Sequence, residues 1–273
     1  MNFVRTQLLS FFCVAGLTVS AQENDPEKKR SYNLFNPVSK NEMRTFSIDR
    51  PDVTESPVTV DAGHFQFEGD LFKFIKPRQG NSERAFNVLN GLYKIGLSNS
   101  WDLHVGVELY NVYQDSEGNT IDKGYGNTTF RLKYNFWGND GTTRTALGVI
   151  PYVVLPTSPV DEDVAFGAGF PFSYEINDSY SAGAQFQFDF VPDGKGNYDL
   201  SYLQTVVLGG TLAGNLDFYV EGMGIFAKDA TIFTANGGLI YNINQNIKID
   251  LATNLGLVDE APTRAYLGFS FRL

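Results

Sequence analysis

The sequence predicts an all-β fold, a transmembrane antiparallel β-barrel of about twelve strands in an up-and-down meander. Three observations predict it. The first is the stretch Ala265-Tyr266-Leu267-Gly268-Phe269-Ser270-Phe271-Arg272-Leu273. Ala265, Leu267, Phe269, Phe271 and Leu273 share one face, and Arg264, Tyr266, Gly268, Ser270 and Arg272 share the other. That is the period-2 alternation of a strand. So apolar an edge invites pairing with another chain. A barrel removes the edge by pairing last strand with first, apolar face to lipid and polar face to the lumen. The second is composition: aromatic residues reach 14%, yet mean hydropathy is slightly negative because alternate residues cancel. No run after residue 20 reaches the 18 or so apolar residues of a spanning helix. The third is the rhythm of the connections. Short turns follow every even-numbered strand and longer polar loops follow the odd-numbered ones, as barrels with short periplasmic turns and long outer loops require. The link between strands nine and ten fits this rhythm least.

The elements follow in order. Strand one spans about 60–75, with Phe65, Phe67 and Leu71 outward and His64, Gln66, Glu68 and Asp70 inward. Phe72 and Phe74 break its phase, which implies a bulge or the membrane exit. Strand two, about 85–97, turns Lys94 inward; strand three, about 101–113, turns Asp102, His104, Gly106, Glu108 and Tyr110 inward. A polar loop runs from Gln114 to Lys123. Strand four, about 125–137, sends Arg131 and Lys133 inward, and Gly138-Asn139-Asp140-Gly141 is a hairpin turn. Strand five, about 144–155, is apolar on both faces and holds Pro151, which a central strand accommodates only with a bulge. Strands six and seven, about 165–177 and 180–190, alternate cleanly, the latter with Gln185, Gln187 and Asp189 inward. Strand eight, about 198–212, has no clear facing. Strand nine, about 216–227, places Glu221 inward; strand ten is about 231–242; strand eleven, about 247–257, places Lys248 and Asp250 inward. Trp101, Tyr93 and Phe136 fall where aromatic girdles belong.

Residues 1–21 read as a cleaved secretory signal, with Arg5 at the positive end, an apolar middle from Leu8 to Thr18, and Val19-Ser20-Ala21 before Gln22. Cys13, the single cysteine, lies in that apolar middle behind Phe11-Phe12, so the mature chain has no disulfide or thiolate site. Residues 22–57 lack a period and are rich in Pro, Ser and Asx, the mark of an extended, turn-rich segment. It either braces one barrel mouth or acts as a hatch. Asp49, Arg50 and Asp52 are placed to form a local cluster, with Glu55 close behind. Residues 58–273 form the barrel.

The net charge of −10 argues against nucleic acid. The expected surroundings are outer-membrane lipid, a small solute in the lumen, or protein partners in the same membrane. Twelve strands enclose a narrow lumen. Its lining mixes signs: Glu68, Asp70, Glu108, Glu221 and Asp250 against Lys94, Arg131, Lys133, Lys248 and Arg272, with His104 and Gln187 among them. Such a lining either passes a small polar solute or pairs internally and seals. The only two histidines, His64 and His104, lie in no serine-hydrolase motif and have no metal-ligand spacing. The chain is therefore read as a non-enzyme without cofactor or metal.

The terminal strand is similar to the C-terminal signal of bacterial outer-membrane barrels, with Leu273 last and the aromatic at Phe271. Three further stretches carry a family likeness: Asp49-Arg50-Pro51-Asp52-Val53-Thr54-Glu55-Ser56-Pro57 with Gly63-His64-Phe65-Gln66-Phe67-Glu68; Gly124-Tyr125-Gly126-Asn127; and Ile150-Pro151-Tyr152-Val153-Val154-Leu155-Pro156-Thr157. They resemble the outer-membrane transporter family named after the meta pathway of phenol degradation, in a Bacteroidetes-like form. Asn127 stands where that family usually has Asp. The resemblance covers about residues 45–273. It implies an outer-membrane barrel for uptake of small, often aromatic compounds, and it supplies no catalytic residues. The sequence thus favours a small-solute channel, with a closed barrel serving as a structural or assembly partner as the alternative.

Overall fold

A computed structural model describes residues 31–76, 84–115, 117–158 and 163–273. The expected signal, residues 1–21, lies outside the described residues. The strands are β1 (Phe65–Lys76), β2 (Arg84–Val88), β3 (Gly91–Gly96), β4 (Trp101–Val107), β5 (Tyr110–Gln114), β6 (Thr120–Gly124), β7 (Thr128–Trp137), β8 (Thr145–Leu155), β9 (Ala165–Asn177), β10 (Tyr180–Pro192), β11 (Tyr198–Ala213), β12 (Leu216–Phe226), β13 (Thr231–Asn244), β14 (Ile247–Gly256) and β15 (Thr263–Arg272). β1, β3, β4 and β7 through β15 run round the wall in that order. β15 pairs antiparallel with β1, from Gln66 opposite Arg272 to Lys76 opposite Thr263. The greasy last strand therefore has no free edge, and the protein is a closed twelve-stranded transmembrane β-barrel.

Beyond the wall, β2, β5 and β6 continue from β1 as a small ribbon. The second and third expected strands are thus each broken once, and the fourth starts three residues later than expected. One break falls at Leu89, the only described non-glycine residue with positive φ, at 56°. The second falls at Glu108-Leu109, and Tyr125 to Asn127 separate β6 from β7. Part of the expected loop 114–123 is strand, since β6 pairs with β5. The break at Glu108 also resets the phase. In β5 the buried inward residue is Asn111 and Tyr110 is exposed, the reverse of unbroken alternation. Glu108 itself is exposed and accepts from Asn111 Nδ2 at 2.9 Å.

The bulge expected near Phe72 is present as a register shift between Asp70 and Phe72. Pro151 is accommodated differently from expectation. Its register with β7 is unchanged on both sides, and the ladder skips Leu132 and Lys133 instead. The missing N–H costs one rung and needs no extra residue. The hairpin at Ala213-Gly214-Asn215 needs a left-handed residue, and Gly214, at φ 55°, supplies it.

Alternation is resolved in β11, where sequence left the facing open. Leu200, Val206 and Leu208 are exposed, whereas Ser201, Leu203, Thr205 and Val207 are buried inside. The outer belt is apolar, and Phe67 packs over the closure seam against Tyr93, Phe269 and Phe271 at 5.0–5.5 Å. Trp101, Tyr134 and Phe136 pack together near the short-turn end, Tyr134 meeting Phe136 edge to face. Tyr93 is not in that girdle; it stands mid-strand opposite Phe67. One outward residue breaks the belt. Gln204 lies between Phe186 and Gly224, exposed, with no hydrogen-bond partner among the described residues. By protein substitution data, burying an unpaired amide costs roughly 1–3 kcal/mol. Gln204→Leu should therefore raise resistance to urea unfolding in lipid vesicles by that order. An unchanged or lower midpoint would show that the amide is satisfied in the membrane.

Candidate functional site

Residues 31–64 do not form a wall strand; residues 31–45 are largely exposed apart from Val38, and from Phe46 onward the segment is mostly buried against the inner face of the wall. Strand one accordingly starts at Phe65, not near residue 60, and the interior segment continues past residue 57. At the short-turn mouth it is anchored by backbone. Val38 N donates to Ala62 O at 3.1 Å, Gly63 N to Gly96 O at 2.8 Å, and Gly96 N to His64 O at 3.0 Å. A Cβ on Gly96 would stand 2.1 Å from Asp61 O, so only glycine lets the segment lie this close. The His64 ring bridges Val38 O (2.7 Å) and Leu273 O (2.8 Å). Arg44 pairs with Asp61 at 2.6 Å and donates to Asn139 O and Thr59 O. Phe46 is buried between the Lys248 ammonium and the Arg272 guanidinium, each 5.3 Å from its ring centre.

Asp49 to Glu55 then cross the lumen. The carboxylate of Asp49 accepts from Lys94 Nζ (2.6 Å) and Lys133 Nζ (2.8 Å), while its backbone N–H donates to Glu68 Oε2 (2.8 Å). Lys94 also pairs with Glu68. Lys94 is 2% exposed and Lys133 1%, so these charges survive burial only because each is paired. Arg50 does not join Asp49 and Asp52 in a local cluster. Its guanidinium takes Asp250 in a two-pronged pair at 2.8 Å and Asp70 at 2.9 Å. In extended backbone, adjacent side chains point to opposite sides, so Arg50 reaches one wall and Asp49 the other.

On the far side Glu221 accepts from Thr54 N (2.7 Å), Thr54 Oγ1 (2.6 Å) and Val53 N (3.1 Å), and from Asn236 Nδ2 (2.6 Å). Glu55 N donates to Gln185 Oε1 at 2.8 Å, and the Glu55 carboxylate pairs with Arg131. Tyr266 OH donates to Pro51 O at 2.5 Å. The segment is thus tied to β1, β3, β7, β10, β11, β12, β14 and β15. Mixed-sign lining is here the counterpart of a mixed-sign insert.

The residues singled out in the sequence divide accordingly. Glu68, Asp70, Lys94, Arg131, Lys133, Glu221 and Asp250 meet Asp49, Arg50 or Glu55, or the backbone between them. Lys248 and Arg272 hold Phe46. His104, fully buried, pairs with Asp102 (2.9 Å), whose other oxygen accepts from Val60 N (2.7 Å). Gln187 stands higher, donating to Tyr152 OH and Asp189. Glu108 lies apart in its break. Gln185, Thr205, Asn236, Tyr219 and Tyr266 also face the insert; for Gln185, Tyr219 and Tyr266 the sequence signal was only their inward register, and for Thr205 and Asn236 there was none. The Gly124–Asn127 motif serves elsewhere: Gly126 N donates to Glu108 O at 2.9 Å and a Cβ there would meet Glu108 Oε2 at 2.0 Å. No group of three His, Cys, Asp or Glu suited to a metal occurs among the described residues.

Comparison with known proteins adds two findings. The sequence pattern of the family described as "Putative MetA-pathway of phenol degradation" matches residues 48–273. No curated protein matches the chain. Among solved structures, the NanC porin superposes with a TM-score of 0.52 at 12% identity, covering 77% of this chain and 100% of that one. The KdgM porin gives 0.51 at 12% identity, covering 76% and 98%. At such identities the likeness is one of fold.

Proposed function

The chain belongs to the family described as "Putative MetA-pathway of phenol degradation", and on that premise we propose that it is an outer-membrane channel for a small solute, closed at rest by its own interior segment. The observation that carries this reading is the crossing from Asp49 to Glu55, a stretch without regular structure to which the wall contributes side chains and no backbone hydrogen bonds among the described residues. The wall's backbone hydrogen bonds run strand to strand and close on themselves, so they do not depend on the insert. The insert can therefore shift without opening the barrel. Its anchors at the short-turn mouth keep it tethered when it does. The porin fold of NanC and KdgM supports the same reading, and so does the family.

The test is single-channel recording of the mature protein in planar bilayers, after heat-modifiable gel migration has shown it folded. Rare, brief, discrete openings are expected. A folded barrel that stays silent, with the insert intact or removed, would overturn the channel and leave a closed barrel that serves as a partner in a membrane assembly.

A further inference from the structure

The segment that enters the barrel begins with a tight turn at the foot of β1. Asn33 and Asn36 exchange backbone hydrogen bonds at 3.0 and 3.1 Å. Asn33 Oδ1 accepts from the backbone N–H of Phe35 (2.9 Å) and of Asn36 (3.1 Å), and Asn36 Nδ2 donates to Ser31 O at 3.0 Å. Leu34 and Phe35 therefore occupy the tip of a turn whose shape is fixed by its own amides. The turn is also fixed to the rim of the wall. Asn33 forms a bridge with Ser98, and Tyr32 N donates to Asn99 Oδ1 at 3.2 Å, both in the turn between β3 and β4. A Cβ on Gly63 would stand 2.5 Å from Pro37 Cβ, so the turn lies directly against the chain that leads into β1.

Turn tips usually carry Gly, Pro, Asn, Asp or Ser; this one carries two apolar side chains. Phe35 is 97% exposed, more than any other large apolar residue among the described residues, and Leu34 is exposed too. No charged residue occurs from Ser31 to Ser39. The lipid-facing belt reaches the same margin. Phe65 packs with Phe271 at the foot of the closure seam, Leu273 N donates to Phe65 O with its side chain exposed, and Trp101 of the girdle follows Ser98 by three residues. A single exposed apolar residue needs no cause, but two at a rigid tip on the margin of a lipid belt do.

We propose that Leu34 and Phe35 are a membrane anchor, set into the lipid leaflet at the short-turn mouth beside the foot of β1. Lipid is the occupant because the tip adjoins the belt, is uncharged, and is held to the rim by hydrogen bonds on both of its sides. The anchor does not depend on the channel reading. It fixes the start of the insert whether or not the lumen conducts.

The test places tryptophan at the tip. Phe35→Trp is combined with Trp101→Phe and Trp137→Phe, which remove the chain's two native tryptophans. The folded protein is reconstituted into phosphatidylcholine vesicles whose acyl chains are unmodified, brominated near the headgroup, or brominated near the chain end. Bromine in the chains is expected to quench the emission at least about twofold, most strongly near the headgroup, as for other interfacial side chains. Less quenching than that at both depths overturns the inference, and a tip that acrylamide alone reaches is one left for a protein partner. Heat-modifiable migration checks folding. If the two tryptophan replacements impair it, Phe35→Cys carrying a nitroxide leaves both in place, and Cys13 lies in the segment read as cleaved. Oxygen, which concentrates in lipid, is then expected to relax the label more than a water-soluble nickel chelate does; the reverse order overturns the anchor. Conductance is not read, so failure here leaves the channel reading standing, and a silent barrel leaves the anchor standing.

Discussion

Deleting residues 31–57 is expected to convert a barrel that opens rarely into one with long-lived, discrete conductance steps. The segment spans the lumen, from Lys94 and Lys133 on one side to Glu221 on the other. Its removal exposes Glu68, Asp70, Lys94, Lys133, Glu221 and Asp250 to water entering the lumen. Solvated charges need no partner, so the loss of theirs does not condemn the fold. The closed ladder from β1 to β15 is unaffected. Heat-modifiable migration separates a misfolded deletion from an informative one. A second variant addresses the same point without deletion. Thr54 Oγ1 and Thr205 Oγ1 are 2.6 Å apart, close enough for Thr54→Cys with Thr205→Cys to form a disulfide. The chain's only cysteine is Cys13, in the segment read as cleaved. Oxidation should abolish openings and a reductant should restore them. Openings that persist in the cross-linked form, or a folded deletion with unchanged conductance, would show that the segment does not close the lumen.

Asp49→Ala should have the largest effect of any single substitution. It leaves Lys133 without a carboxylate and Lys94 with Glu68 alone, both almost wholly buried. Breaking a buried ion pair by removing one partner costs about 3–5 kcal/mol. At 1.4 kcal/mol per factor of ten, that corresponds to a rise of roughly a hundred- to a few thousand-fold in the open population. The cost falls on the docked state, because the undocked lysines are hydrated. Adding Lys133→Met to Asp49→Ala should recover part of the closed population, since the stranded charge is then absent. Single-channel open probability reads both effects. An open probability that Asp49→Ala does not change would mean that the anchors at the short-turn mouth alone hold the insert.

Much of the wall was legible in the sequence. In a sheet with lipid on one side and polar residues on the other, the period of two is enforced residue by residue. Residues 165–177 and the alternation from Ala265 to Leu273 could therefore be read directly. The phase fault at Phe72 is also local, and it became the shift after Asp70. The breaks at Leu89 and Glu108 were not legible, because the approach of Gly126 to Glu108 is a contact between strands. Pro151 misled for a related reason: whether a missing donor needs a bulge depends on the facing strand.

For the site, sequence alone determined which residues point inward, that their charges are mixed, and that an aperiodic segment with Asp49, Arg50, Asp52 and Glu55 precedes the wall. Only the tertiary structure decided the pairing. Arg50 reaches Asp250, 200 residues away, and passes over its neighbours Asp49 and Asp52. Inward direction is a property of local backbone geometry, and alternation records it. Partner choice inside a lumen is a property of which strand faces which across the barrel, and that is fixed only when β15 closes on β1.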